Sequence, residues 1–255
     1  MKLNVVPPRT GLLWVKLGIQ TFLRQPLALA GLFFMYVAVV LVVTQIPVVG
    51  MVVAGLLVPA FTLGLMAATA EAAKGRFPMP TVLVSAFRAG RQRMVSMLVL
   101  GAIYTVGSVL ASALGSLVTG GPPAGAEAAQ PDASLLVGLL LHTPLFLMFW
   151  HAPALVHWHG ITPAKSLFFS TVACWRNLGA LVVFGLGWMG VFLGVGTVLG
   201  LLAGLAGGGN VVRAVMMPAA LLMAAMFTSS IYFTFRDSFT ADEPVPSPST
   251  EGGTP

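Results

Sequence analysis

Charged residues are scarce in this chain, and their scarcity excludes a water-soluble globular protein. Only 8% of the 255 residues are charged and 57% are hydrophobic, whereas soluble domains carry about 25% charged residues. A chain of this composition cannot cover itself with polar surface, so its solvent must be the lipid bilayer. Because backbone groups in a bilayer have to be paired within the chain, long apolar runs predict helices. The expected fold is an all-α polytopic membrane protein.

Cysteine and acidic side chains are also rare. Cys174 is the single cysteine, so no disulfide can form within the chain, and we expect a small apolar packing role for it. Seven acidic residues stand against thirteen basic ones, for a net charge of +6. The basic residues are spread over the loops between apolar runs, which indicates a role in membrane topology rather than nucleic-acid binding.

Motifs that carry chemistry are missing as well. The sequence has no HExxH helix, no paired cysteines, no GxxxxGK[ST] phosphate loop and no GxSxG nucleophile turn. We therefore expect no enzyme activity, no catalytic residues, and no cofactor or metal.

Apolar runs of membrane length are what the chain does contain. A bilayer core of about 30 Å needs about 20 apolar residues in a helix. Six runs qualify, at 27–44, 48–70, 94–118, 135–156, 178–206 and 215–235. We expect one transmembrane domain over 1–236, with the first run retained as a span. The stretch 237–255 is rich in Pro, Ser, Thr and Gly and is expected to be a disordered cytoplasmic tail.

The basic residues predict the orientation of these spans. All of them except Arg213 lie before the first span, between spans two and three, between spans four and five, or after span six. The positive-inside rule then places both termini in the cytoplasm. The loop 120–132, which contains Glu127 and Asp132, would face outward.

A pattern of residues occurs twice in the chain, 85 positions apart and without a gap. Pro59, Phe61, Ala67, Gly75, Pro78, Ser85 and Arg91 recur as Pro144, Phe146, Ala152, Gly160, Pro163, Ser170 and Arg176. Internal repeats of this kind indicate symmetry-related helix units in membrane proteins.

A segment of mixed polarity precedes each pair of spans, at 11–25, 81–93 and 164–177, and each contains an Arg followed by Gln or Asn near its end. In the first segment, Lys16, Gln20 and Arg24 share one helical face and apolar residues fill the other, as in an interfacial helix. The sequence therefore predicts three repeated units, each an interfacial amphipathic helix followed by a transmembrane hairpin.

The segments MKLNVVPPRTGLLWVKLGIQTFLRQPLALAGLFF and PAFTLGLMAATAEAAKGRFPMPTVLVSAFRAGRQR resemble an uncharacterised family of betaproteobacterial inner-membrane proteins. The resemblance covers most of 1–110 and the repeated parts of 140–180, and it implies a helical inner-membrane protein without a transferable activity. The repeating unit is more distantly similar in architecture to the membrane domain of some glycerophosphodiester phosphodiesterases. This chain lacks their catalytic domain.

Ionisable groups at membrane depth are the sharpest candidates for a functional site. His142 and His151 lie in the fourth span, where they could serve a metal or proton path or make interhelical hydrogen bonds. Their spacing argues against a local metal site, because a helix separates them by about 13 Å along its axis. Glu71 ends the second span and could pair with Lys74 or a neighbouring arginine, or bind a coupling ion.

Three further groups of residues are candidates for lipid contact, bending and packing. The arginines that close the mixed segments, Arg24, Arg91 and Arg176, are candidate contacts for anionic lipid head groups. The prolines in the second span of each pair, Pro59, Pro144 and Pro218, predict helix kinks. The glycine-rich fifth span has GxxxG spacings that serve packing within the bundle, or contact with a second copy or another membrane protein.

Two functions remain open at this point. The first is a non-enzymatic inner-membrane protein that binds lipid or a membrane partner, which predicts a dry core of small residues. The alternative is a small-molecule or ion transporter or channel built on the repeated, kinked helices. The alternative predicts a water-filled cavity lined by His142 and Thr143.

Overall fold

The computed structural model describes residues 2–120 and 133–240, and almost all of them are helical. The helices are α1 (Thr10–Arg24), α2 (Pro26–Thr44), α3 (Val49–Ala73), α4 (Ser85–Arg88), α5 (Arg91–Thr119), α6 (Ala133–Phe149), α7 (Ala152–His159), α8 (Pro163–Arg176), α9 (Leu178–Gly207) and α10 (Gly209–Ser238). A 3₁₀ turn, Pro80–Val84, precedes α4. The predicted all-α fold is confirmed.

Six stretches of helix are long and apolar enough to cross a membrane: α2, α3, α5, α6 with α7, α9 and α10. They coincide with the six predicted spans and form three hairpins. The first hairpin is α2–α3, the second is α5 with α6–α7, and the third is α9–α10. The predicted outer loop with Glu127 and Asp132 lies outside the described residues.

The two ends of the described chain are paired. Strand β1 (Lys2–Leu3) runs antiparallel to strand β2 (Phe239–Thr240), with Leu3 opposite Phe239. The predicted disordered tail began at 237, but α10 continues through Ser238 and the chain then enters β2. Residues 237–240 are therefore ordered, and the rest of the predicted tail lies outside the described residues.

The three mixed segments do not fold alike. The first and third form the helices α1 and α8, while the middle one forms only the 3₁₀ turn and the single turn α4. Gly90, with φ of 100°, ends that segment in a conformation that suits glycine. Arg91 and Arg93 consequently belong to the spanning helix α5 and not to an interfacial helix. The equivalence of three units remains a prediction.

Helix α1 packs between α9 and α10 and is more deeply buried than an interfacial helix was expected to be. Its two glycines permit this, because a Cβ on Gly11 would overlap the α9 backbone at Ala180 and one on Gly18 would overlap Ser230 of α10. Trp14 is 0% exposed, whereas the apolar Leu12 is 56% exposed. The helix thus turns Gly11, Trp14 and Gly18 to the protein and leaves part of its apolar face outward.

The fourth span is broken between Phe149 and Ala152. Pro153 starts the new helix, because a proline in the first turn loses no helical hydrogen bond. Ser170 of α8 bridges the break: its Oγ donates to Leu147 O at 2.9 Å and accepts from the His151 N–H at 3.0 Å. The helices continue through Pro59, Pro144 and Pro218, so these prolines do not interrupt them, and the kinks expected there remain a prediction.

The buried residues gather at one end of the bundle. In α2 they all lie between Leu29 and Phe33, close to its start, and in α10 they all lie from Met223 onward. We call this end, where α1 and α8 also lie, the basic end, and the opposite end, with the turns after α2 and α9, the far end. The far halves of the helices are largely exposed and present apolar side chains to lipid.

Three buried tryptophans tie separate helices to α10. The indole Nε1 of Trp188 donates to Ser230 Oγ at 3.0 Å, that of Trp150 donates to Thr234 Oγ1 at 2.9 Å, and that of Trp14 donates to Asp237 Oδ2 at 2.9 Å. The three acceptors lie on one face of α10, since they follow at helical spacing. We call them the α10 acceptor row.

Candidate functional site

A basic cavity opens at the basic end between the 3₁₀ turn, α4, the start of α5 and the end of α7. It measures about 410 Å³, and its walls include Thr81, Ser85, Arg88, Arg93 and His157. None of its described wall residues is acidic. We call it the Arg93 pocket. Its side chains come from segments that the chain brings together only by folding.

Two polar atoms in the walls of the Arg93 pocket have no partner. Ser85 Oγ and His157 Nδ1 are buried, and no described residue forms a hydrogen bond with either of them. Buried polar atoms are normally paired, because an unpaired one costs about 1–3 kcal/mol. Unpaired atoms beside a cavity therefore indicate groups that pair when a ligand enters.

The positive charge of the Arg93 pocket is also uncompensated. Both salt bridges found among the described residues lie elsewhere, joining Arg76 to Glu71 and Arg236 to Asp237. Arg93 lies in the first turn of α5, where the helix dipole is positive. Two guanidinium groups, a hydroxyl and an imidazole can together donate several hydrogen bonds to one anion.

A second, smaller cavity lies on another side of Arg93. It measures about 140 Å³ and is lined by Gln92, Arg93, Ser96, Val156, Gly160, Ile161 and Thr162. Arg93 stands in the walls of both cavities. Its side chain can therefore contact a ligand from either side.

A third cavity of the basic end lies where α3, α7 and α10 meet. It measures about 310 Å³ and is lined by Glu71, Lys74, Trp158, His159, Tyr232, Arg236 and neighbouring apolar residues. Its charges are largely compensated, because Glu71 pairs with Arg76 and Arg236 pairs with Asp237. It has a weaker preference for an anion than the Arg93 pocket.

The structure separates the two histidines predicted at membrane depth. His142 is half-buried in α6, and its Nδ1 lies 2.9 Å from Gly138 O in the same helix. His151 is 1% exposed, beside the rings of Phe235 and Phe239. Among the described residues, no group of three or more His, Cys, Asp or Glu could hold a metal ion.

The partner of Glu71 is Arg76. The Arg76 Nε and Nη2 atoms lie 2.6 and 2.8 Å from the two carboxylate oxygens of Glu71. Of the alternatives that the sequence left open, the pair therefore forms with a neighbouring arginine and not with Lys74. Because the pair is largely exposed, it contributes little to stability.

The arginines predicted to contact lipid are all exposed. Arg24 ends α1, Arg91 begins α5 and Arg176 ends α8. None of the three lines any of the cavities described above. The arginines that do line the Arg93 pocket are Arg88 and Arg93, which the sequence placed only in a general basic segment.

The glycine-rich face of α9 is mostly open in the described structure. A Cβ built on Gly185, Gly190, Gly194 or Gly200 would have no neighbour within 4 Å. Close helix approach occurs instead between α3 and α5, where a Cβ on Gly101 would overlap the Leu56 carbonyl. A contact of the α9 face with a second copy or another protein remains a prediction.

Ser85, beside the Arg93 pocket, and Ser170, at the helix break, were marked in the sequence only as part of a repeat. They lie 85 positions apart, yet Ser170 bridges the broken helix while Ser85 Oγ faces a cavity without a partner. A matching serine in an otherwise apolar repeat was the available signal. It could not show which of the two serines forms a structural hydrogen bond.

Comparison with known proteins finds one curated relative. The chain is 38% identical over 259 residues to a protein of Burkholderia thailandensis named "Probable inner membrane protein", and the match covers 96% of each chain. No protein-family profile matches the chain. No solved structure matches it either.

Proposed function

The chain belongs to the family of this Burkholderia inner membrane protein, and on that premise we propose that it binds the anionic head group of a lipid in the Arg93 pocket. The family membership confirms the predicted resemblance to betaproteobacterial inner-membrane proteins. It also supports a multi-pass location in the inner membrane, together with the six spanning helices. The proposed role is binding, without a catalytic step.

The observation that carries this proposal is the pair of unpartnered atoms in a cavity without acidic residues. Ser85 Oγ and His157 Nδ1 lack a partner among the described residues, and Arg88 and Arg93 stand beside them. A phosphate group offers several acceptor oxygens and a negative charge, so it can satisfy all four side chains. A neutral or cationic ligand would leave the guanidinium groups without a counterion.

The position of the pocket favours a lipid as the source of the phosphate. The pocket adjoins the start of α5 and the end of α7, which are the ends of two spanning stretches. We propose that this end faces the cytoplasm, because the basic end carries every basic residue of the chain except Arg213. Anionic lipids of the facing leaflet then lie at the level of the pocket.

Binding of phosphatidylglycerol to the purified protein tests the proposal. A short-chain phosphatidylglycerol is titrated onto wild-type protein and onto the Arg93→Gln variant in detergent. Losing a charge-assisted hydrogen bond is expected to weaken binding about tenfold to a hundredfold. The matched control is Arg91→Gln, which removes the same charge from an exposed arginine that does not line the pocket.

Two further ligands separate the possible sources of the phosphate. Phosphatidylethanolamine tests whether net negative charge is needed, and glycerol phosphate tests whether the acyl chains are needed. We expect both to bind more weakly than phosphatidylglycerol. Equal losses in the Arg91 and Arg93 variants would contradict the proposal, and glycerol phosphate binding as tightly as the lipid would replace it with a soluble phosphate ligand.

The transporter or channel alternative has less support from the described residues. His142, the expected lining residue, bonds within its own helix and lines none of the cavities found at the basic end. Pro59 is buried against its neighbours, while Pro144 and Pro218 are exposed. Flux measurements in proteoliposomes, with a His142→Phe variant, test the alternative directly.

A further inference from the structure

The boundary between the first and second hairpins is closed by two glycines. A Cβ on Gly101 of α5 would overlap the Leu56 carbonyl of α3, and one on Gly55 would lie 2.5 Å from Thr105 Oγ1. The two helices therefore touch along their backbones. Leu100 of α5 is 0% exposed at this boundary and completes the packing.

The boundary between the second and third hairpins has the opposite pattern. At a spacing of 85 positions, Gly55 and Gly101 correspond to Leu140 and Leu186, while Leu100 corresponds to Gly185. Leu140 and Leu186 are 71% and 56% exposed, and the space around the Cβ position of Gly185 is empty. Leucines thus stand at the positions that correspond to Gly55 and Gly101, and a glycine stands at the position that corresponds to Leu100.

An apolar groove lies at this second boundary, where glycine and leucine have changed places relative to the first boundary. It measures about 270 Å³, lies between α6, α9 and α10, and is lined by residues such as Phe146, Trp150, Leu181, Gly185 and Phe227. All of its wall residues are apolar, apart from the indole of Trp150, whose N–H already donates to Thr234. Water has no partner in such a groove.

We propose that this groove holds one acyl chain of a phospholipid whose phosphate contacts Arg176. The groove begins at Leu178, two residues after Arg176, which is exposed and has no ion pair with any described residue. Trp175 beside it is 74% exposed, as is typical of tryptophan at the head-group level. A positive charge at the start of the groove and an apolar interior match the phosphate and the acyl chain of a phospholipid.

This inference does not depend on the Arg93 pocket. It rests on a different pair of helices and on the exchange of glycine and leucine within the repeat. A lipid held between hairpins would replace the helix contact that closes the first boundary, and would thereby complete the packing of α9 against α6.

Photocrosslinking in nanodiscs tests the inference. Phosphatidylglycerol with a diazirine on its acyl chain is activated by light, and the modified peptides are identified by mass spectrometry. In the wild type we expect adducts at the groove residues of α6 and the first turns of α9. Gly185→Leu, which introduces the residue that fills the closed boundary, is expected to lower their yield, because the added side chain occupies space that the acyl chain would fill.

Three variants control the experiment. Gly194→Leu adds the same side chain to open space on α9 away from the groove, and is expected to leave the groove adducts unchanged. Arg176→Gln should lower the yield with phosphatidylglycerol but not with a photoactivatable diacylglycerol, which has no phosphate. Arg93→Gln should leave the groove adducts unchanged, which separates this site from the Arg93 pocket.

Two outcomes would overturn the inference. One is a set of adducts spread evenly over all lipid-facing helices of the wild type. The other is an equal yield at the groove in wild-type and Gly185→Leu protein, each with an unchanged melting temperature. Should Gly185→Leu fail to fold, the smaller Gly185→Ala is used, and an undiminished groove yield in that variant would count against the inference in the same way.

Discussion

Ser170 holds a broken membrane-spanning helix together with a single hydroxyl group. Its Oγ replaces the helical bond between the His151 N–H and Leu147 O by bonding to both. Backbone groups in a bilayer core have no water with which to form hydrogen bonds. We predict that Ser170→Ala lowers the free energy of unfolding by about 1–3 kcal/mol, since the buried His151 N–H loses its partner and Leu147 O is left with the weak thiol donor of Cys174. Thermal unfolding in detergent, followed by circular dichroism, measures the loss.

Ser85→Ala is the matched control for this prediction. Ser85 lies 85 positions before Ser170, and its Oγ has no partner among the described residues. Its replacement in lipid-free protein should leave the stability unchanged or raise it, because no hydrogen bond is lost and an unpaired buried hydroxyl is removed. Similar effects of the two substitutions would show that the bridge at Ser170 does not stabilise the break.

Cys174 offers a second measure of the same unfolding transition. Burial raises the pKa of its thiol to about 12, although a hydrogen bond with Ser170 partly opposes this shift. In the unfolded chain the thiol has its ordinary pKa of 9.0, so stability decreases as the pH rises from about 9 towards 12. At pH 8 a maleimide should therefore label Cys174 only after unfolding.

At the scale of elements, glycine decides where helices meet. Gly11 and Gly18 bring α1 against α9 and α10, and this contact places Trp14 beside the α10 acceptor row. The expected glycine contact in α9 is largely absent among the described residues, because no neighbouring helix comes within 4 Å of the Cβ positions of Gly185, Gly190, Gly194 and Gly200. GxxxG spacing marks a face that can pack closely, but the partner's side chains decide whether it does.

We predict that Gly18→Ala destabilises the protein even though alanine favours helices. The added Cβ would overlap Ser230, so α1 must shift away from α10 and Trp14 must loosen from Asp237. Such overpacking typically lowers stability by about 1–3 kcal/mol. Tryptophan fluorescence and the melting temperature measure both effects.

Gly31→Ala in α2 is the control for this substitution. A Cβ at Gly31 meets nothing within 4 Å, so helix propensity alone acts, and the variant should gain up to about 1 kcal/mol. Opposite signs for the two glycines are the expected result. A neutral or stabilising Gly18→Ala would contradict the close approach of α1 and α10.

At the scale of the whole molecule, the N-terminal and C-terminal segments of the described chain pack together at the basic end. Asn177, at the start of α9, accepts from the Val6 N–H at 2.8 Å and donates to Asn4 O at 3.0 Å. The pairing of β1 with β2 joins the same N-terminal segment to the end of α10. Both termini of the described chain therefore lie on one side of the bundle, as an even number of spans requires.

We predict that this side is cytoplasmic. Alkaline phosphatase is active only outside the cytoplasm, so its fusion after Pro131 should be active and its fusion after Thr240 inactive. The positive-inside rule supplies the reason, because only Arg213 lies at the far end of the spans. The reverse pattern of activities would invert the topology and would place the Arg93 pocket in the opposite leaflet.

Features that depend on short stretches of chain were predictable. Each spanning helix is marked by its own apolar residues, and Arg24 and Arg176 end their helices close to where the periodicity stops. The prolines of the fourth span indicated a break there, but not its position at residues 150–151. Pro144 and Pro153 both lie in the fourth span, and Ser170 from another helix supplies the hydrogen bonds that stabilise the break beside Pro153.

The sequence by itself determined the six spans, the all-α class and the clustering of charge on one side, because hydropathy and charge are summed along the chain. Only the tertiary structure decided that Arg93 meets Ser85 and His157 in one cavity. It also decided that one hairpin boundary is closed while the other holds an apolar groove. Such contacts join residues far apart in sequence, and they depend on how closely two backbones can approach.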